Sequence, residues 1–109
     1  MSKRSAKLLI EDIIESGRKI LKYTSGLSFE QFIADEKTVD AVVRNFEIIG
    51  EAANRLPEDF KDANSSIDWF RIRGFRNRIV HAYFGIDYNI VWHIKETYLP
   101  DLLLQLESI

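Results

Sequence analysis

Thr38-Val-Asp-Ala-Val-Val-Arg-Asn-Phe-Glu-Ile-Ile-Gly-Glu-Ala-Ala-Asn-Arg-Leu56-Pro57 is a long amphipathic pattern, and it sets the expected fold. Val39, Val42, Val43, Phe46, Ile49 and Ala53 recur at the three-to-four spacing of a buried helical stripe. Asp35 or Thr38 can cap the start, and Leu56-Pro57 ends the pattern. The opposite face carries Arg44, Glu47 and Glu51 at spacings of three and four, which suits a solvated face with weak ion pairs. A sharper alternative has Glu47 or Glu51 orienting an arginine from elsewhere in the chain.

The same periodicity continues on both sides. Upstream, Leu9, Ile13 and Ile20, with Ile10, Ile14 and Leu21, predict a helix over about 3–23, with Gly17 small enough for close packing and Ser25-Gly26 as its stop. Ser28 followed by Gln31 predicts a capping box for a short helix through Phe29, Phe32 and Ile33. Downstream, Pro57 to Asn64 reads as a turn or short helix. Asp68 is the expected N-cap of a third long helix running to about Phe84, stopped by Gly85. Asp87 is a fresh N-cap for a fourth helix through Ile90, Val91, Ile94, Tyr98, Leu102, Leu103 and Leu106, which Pro100 should kink or split. No segment alternates with period two and there is no Asn-Gly or Asp-Gly hairpin signal. The expected fold is all-α: an antiparallel up-and-down bundle of four main helices plus one or two short ones, in a single domain over 1–109.

A chain of 109 residues, 46% hydrophobic and 29% charged, has the composition of a globular domain large enough to bury a core. It has no cysteine, which removes disulfides and thiolate metal sites. The apolar run after Lys3 and Arg4 is interrupted at Glu11 and Asp12, too soon for a signal sequence, and no stretch approaches a membrane span of roughly 20 apolar residues. A cytoplasmic protein is expected.

The chemistry gathers in the third helix. Arg71, Arg73, Arg76 and Arg78 fall within eight positions, and no acidic residue occurs from Trp69 to Ile86, although the chain's net charge is -2. Such an asymmetry points to an anionic ligand, most simply a phosphate. On a straight helix Trp69, Ile72, Arg76, Val80 and Tyr83 share one side, whereas His81 points about 140° from Arg76 and ~7.5 Å along the axis. Arg76 and His81 therefore converge only if the helix deforms near His81, if the arginine bends round, or if a second subunit supplies the partner. Trp69, Phe70, Phe75 and Phe84 are assigned to core or dimer packing ahead of base stacking, and Tyr88, Trp92 and Tyr98 to packing. His93, the only other histidine, is assigned a structural role, and no Asp/Glu/His cluster has clear metal-ligand spacing.

Arg76-x4-His81-x-Tyr83, with Asn77 directly after the arginine, resembles the R-x4-H-x-Y motif of the HEPN superfamily in its HepT-like branch. Arg44 to Ala52, Trp69 and Gly74, Phe84 to Asp87 and Leu99-Pro100 extend the resemblance over essentially the whole chain. It implies a helical homodimer with paired third helices, acting as a metal-independent endoribonuclease without a cofactor, the toxin of a type VII-like toxin-antitoxin pair. By the same resemblance Arg76 and His81 are the catalytic pair and Asn77 a supporting polar residue. Tyr83 is the AMPylation site of a cognate minimal (MntA-like) nucleotidyltransferase antitoxin. Arg71, Arg73 and Arg78 are read as solvated or as RNA-backbone contacts.

The residue chemistry is compatible with that reading. RNA carries its own nucleophile in the 2′-hydroxyl, and cleavage needs a base, an acid and a cation at the phosphate, roles open to histidine and arginine. The competing reading is a non-catalytic dimeric helical module that binds a nucleotidyltransferase or a nucleotide.

Overall fold

A computed structural model of the chain describes residues 4–81 and 85–109, with His81 defined by its backbone alone. Eight helices occur among the described residues: α1 (Ala6–Thr24), α2 (Phe29–Ala34), α3 (Glu36–Arg55), α4 (Glu58–Ala63), α5 (Trp69–Arg73), α6 (Phe75–Ile79), α7 (Tyr88–Thr97) and α8 (Leu99–Glu107). The fold is an all-α bundle. α1, α3, α5 with α6, and α7 with α8 form four arms, and α2 and α4 are the short connectors. Each arm touches the next: α1 lies along α3, α3 against α5 and α6, α6 against α7, and α8 returns to α1.

Local chemistry explains the ends of these elements. Ser28 accepts from Gln31 N while the Gln31 side chain accepts from Ser28 N, the reciprocal capping box expected for α2. Asp35, not Thr38, caps α3 by accepting from Thr38 N at 3.2 Å and from the Thr38 hydroxyl at 2.7 Å. The Thr38 hydroxyl, then its N–H, holds the Asp35 carboxyl below its ordinary pKa. The cap therefore contributes at neutral pH and is lost as pH falls through the depressed value. Asp68 and Asp87 cap α5 and α7 in the same manner. Pro100 splits the fourth arm as expected, taking an early position of α8 where its missing N–H leaves no bond unmade.

The core joins the predicted stripes of the first, second and fourth arms to Trp69, Ile72, Phe75 and Ile79 of the third. Ile13, Ile20, Val42, Phe46, Ile49, Phe75, Ile79, Val91, Ile94 and Leu106 are almost completely buried. Phe46 and Phe75 meet edge to face at 5.7 Å, joining α3 to α6. Such a pair adds about 0.5–1.5 kcal/mol beyond the area it buries. Gly17 lets α1 and α8 approach closely, because a Cβ there would lie 2.6 Å from Leu103 Cδ2 and the leucine side chain would have to move.

The third arm departs from expectation. Instead of one helix to about Phe84, the chain forms α5, a one-residue interruption at Gly74 (φ −81°, ψ −5°) and α6, which ends at Ile79. Val80 is extended (φ −103°, ψ 118°), and Val80–His81 pairs antiparallel with Gly85–Ile86 in a two-residue ladder. Asp87 N donates to Ile79 O at 2.8 Å and closes the hairpin at its base. Gly85 is therefore not a helix stop, and its φ of +81° belongs to the returning strand. The β-branched run Ile79-Val80 weakens the helix here, and pairing with Ile86 replaces the hydrogen bonds that a continued helix would have made. Residues 82–84, and with them the expected roles of Tyr83 and Phe84, lie outside the described residues.

Candidate functional site

Ending α6 at Ile79 changes the relation between Arg76 and His81. The 140° divergence applies only to a straight helix, and the backbone leaves the helix between the two residues. Of the three ways for them to converge, deformation of the helix near His81 is therefore available within one subunit. The His81 side chain itself lies outside the described residues.

Arg76 and Asn77 occupy the first turn of α6 and are both exposed. They open onto a groove of about 470 Å³ between α3 and the α5–α6 arm. α3 contributes Glu47, Gly50, Glu51 and Asn54, and the other wall is Phe70, Arg73, Gly74, Arg76 and Asn77. Its floor is a close helix approach, in which a Cβ at Gly50 would sit 3.6 Å from the carbonyl oxygens of Ile72 and Arg73. The buried Trp69, Ile72, Phe75 and Ile79 anchor the arm to the core and turn the remaining residues outward. The wheel put Arg76 on the side of Trp69 and Ile72, but the buried face of the arm is centred on Ile72, Phe75 and Ile79, and Arg76 stands exposed at its edge.

Glu47 and Glu51 both reach the groove, but their ion pairs run along α3. Glu51 accepts from Arg55 at 2.8 Å, and Glu47 lies 4.0 Å from Arg44. Among the described residues no carboxylate comes within ion-pair distance of Arg73, Arg76 or Arg78. The solvated-face reading of Arg44, Glu47 and Glu51 thus describes their pairing, and the groove places the two carboxylates opposite the arginine wall.

The basic segment divides. Arg71 faces the other side of the arm: its guanidinium carbon lies 4.3 Å from the Tyr98 ring centroid and its Nε 3.7 Å from Asp68. Arg73 and Arg76 face the groove, and Arg78 is exposed. The structure assigns His93 no buried role. It is exposed, meets Tyr98 edge-on at 5.6 Å and lies 3.4 Å from the Thr97 hydroxyl. Trp92 packs on Phe29 and Phe32 and under the Lys95 ammonium, whereas Tyr88 is 42% exposed and not a packing residue.

Sequence reasoning missed Phe70 and Asn54. Phe70 was assigned to core or dimer packing, and it is not part of the chain's own core, being 81% exposed at the groove edge. The signal was present, because Phe70, Arg73 and Asn77 follow one another at i, i+3 and i+7, which is one face of a helix.

A helical bundle presenting arginine and asparagine from its third arm is the setting in which the motif of that arm acquires meaning. The chain belongs to the HepT-like ribonuclease family, whose model matches residues 13–109. A relative from Thermococcus cleftensis, named a probable ribonuclease HepT, is 39% identical over 107 residues, covering 98% of this chain and 97% of its own. Two proteins of Methanocaldococcus jannaschii, provisionally named RNases, are 36% and 35% identical over all 109 residues, which span 90% and 100% of their lengths. No solved structure matches significantly. Among the described residues no helix is long and apolar enough to cross a membrane.

At Gly50 an alanine fits at ordinary contact distance and removes a flexible glycine from a helix interior, so Gly50→Ala should be neutral to stabilising. Gly50→Leu must push α5 away from α3, and urea denaturation should show it less stable by roughly 1–3 kcal/mol.

Proposed function

We propose that this chain is a metal-independent endoribonuclease in which Arg76 and His81 are the catalytic pair, supported by Asn77. The observation carrying this reading is that Arg76 and Asn77 stand exposed in the α3–α6 groove while the chain turns out of the helix just before His81. Membership of the HepT-like ribonuclease family supports it.

In the reaction, a base takes the proton of a ribose 2′-hydroxyl and the 2′-oxygen attacks the adjacent phosphorus. The P–O5′ bond breaks, giving a 2′,3′-cyclic phosphate and a 5′-hydroxyl that receives a proton from an acid. His81 supplies an imidazole, a side-chain type suited to proton transfer. Arg76 is always charged and forks onto two non-bridging oxygens, stabilising the charge that grows on the phosphorane. Arg73 and Arg78 hold the backbone of the strand, with Arg71 contributing less because its guanidinium already lies on Tyr98.

Arg76→Ala and His81→Ala should each abolish RNA cleavage with the helical circular-dichroism signal intact. Arg73→Ala should mainly weaken binding and flatten its salt dependence. EDTA should leave activity unchanged; if it removes activity, a metal-assisted route replaces this one. Nucleotide binding without any cleavage would turn the reading to a non-catalytic module.

The active form is a homodimer with two copies of the third arm in one cleft, so that two histidines share the acid and base roles. Sedimentation at micromolar concentration should give twice the chain mass, and a monomer that still cleaves RNA would refute the shared cleft.

The chain acts as the toxin of a toxin-antitoxin pair, silenced when a cognate minimal nucleotidyltransferase transfers AMP from ATP to the Tyr83 hydroxyl, with release of pyrophosphate. An adenylate two residues from His81 adds bulk and a phosphate that competes for the guanidinium and repels incoming RNA. Tyr83→Phe should keep ribonuclease activity yet escape the partner. Mass spectrometry after co-expression should find one added AMP at Tyr83, and an unmodified tyrosine in a neutralised complex would leave steric blocking in place of AMPylation.

A further inference from the structure

The α3–α6 groove has an aromatic edge that the reaction above does not use. Phe70 is 81% exposed, more than any other large apolar residue described. The neighbouring aromatic residues are committed inward, Phe75 against Phe46 and Trp69 against Phe60. Among the described residues no ring stacks on Phe70. The core therefore gives no reason for an aromatic here.

We propose that Phe70 is the stacking platform of a nucleotide subsite, receiving one unpaired base of a single-stranded RNA while Arg73 binds the adjoining phosphate. This rests on the ribonuclease reading and adds how the strand is held beside Arg76. Phe70 and Arg73 are one turn apart on α5 and line the same groove, so a π face and a cation stand side by side, as a base and its phosphate require. Among the described residues Arg73 has no carboxylate within ion-pair distance, which leaves its guanidinium open to a phosphate. Glu51 is paired with Arg55 and Glu47 lies 4.0 Å from Arg44, so the carboxylates of the opposite wall pair along α3 and not across the groove to Arg73. Asn77 supplies a donor and an acceptor beside the ring, able to meet a base edge. A duplex is a poor occupant, because its bases already stack on one another and offer no face to the ring.

The test measures binding of two fluorophore-labelled, cleavage-resistant 2′-O-methyl strands of equal length, an oligoadenylate and the same backbone without bases. Wild type should prefer the oligoadenylate roughly tenfold or more. Phe70→Ala should lose that preference, Phe70→Trp should keep it, and Arg73→Ala should weaken both strands equally. Sedimentation of Phe70→Ala should match wild type. The subsite is overturned if Phe70→Ala retains the preference, if wild type shows none, or if Phe70→Ala loses oligomeric state, which would assign the ring to contact between copies. Cleavage of an unmodified strand by wild type, recorded alongside, judges the ribonuclease reading separately.

Discussion

The packing of α3 against its two neighbours is the constraint on which the rest of this molecule depends. One face of α3 buries Val42, Phe46, Ile49 and Ala53. Along it, Phe46 reaches Phe75 of α6, and position 50 lies against the carbonyls of Ile72 and Arg73, with room for nothing much larger than alanine. Both contacts act on the same arm, so the position of Arg76 and Asn77 follows from a hydrophobic interface on their reverse side. A groove with exposed cations needs such an anchor, because long charged side chains are held in place by the backbone that carries them and not by their own hydration.

The division of labour among the four arginines follows from where that arm faces. Arg71 is drawn onto the ring of Tyr98, a contact between the third and fourth arms. Arg73 and Arg76 lie on the α3 side, where carboxylates are present but satisfied along their own helix. The result is a groove with an arginine wall on the third arm facing a carboxylate wall on α3.

The helices were legible in the sequence because hydrophobic spacing and capping residues act locally. Asp35, Ser28, Asp68, Asp87 and Pro100 each do in the structure what their side chains or rings do in a short peptide. The stripes of α1 and α3 were read correctly for the same reason. Family membership was legible too, since it rests on residue types in order and needs no coordinates.

What the tertiary structure alone decided was the course of the third arm and the direction of its side chains. A wheel drawn over an unbroken helix cannot foresee that Val80–His81 will pair with Gly85–Ile86, a contact between segments that only the fold brings together. Nor can it foresee which part of the arm is covered: Ile72, Phe75 and Ile79 are buried against the other arms, and Arg76 is left at the exposed edge. Phe70 shows the same limit from the other direction. Its hydrophobic character suggested the core, but the core face of α5 was already taken by Trp69 and Ile72, and a short helix has one such face. Local sequence sets which residues can be helical, and competition for buried volume among the arms sets which of them meet water.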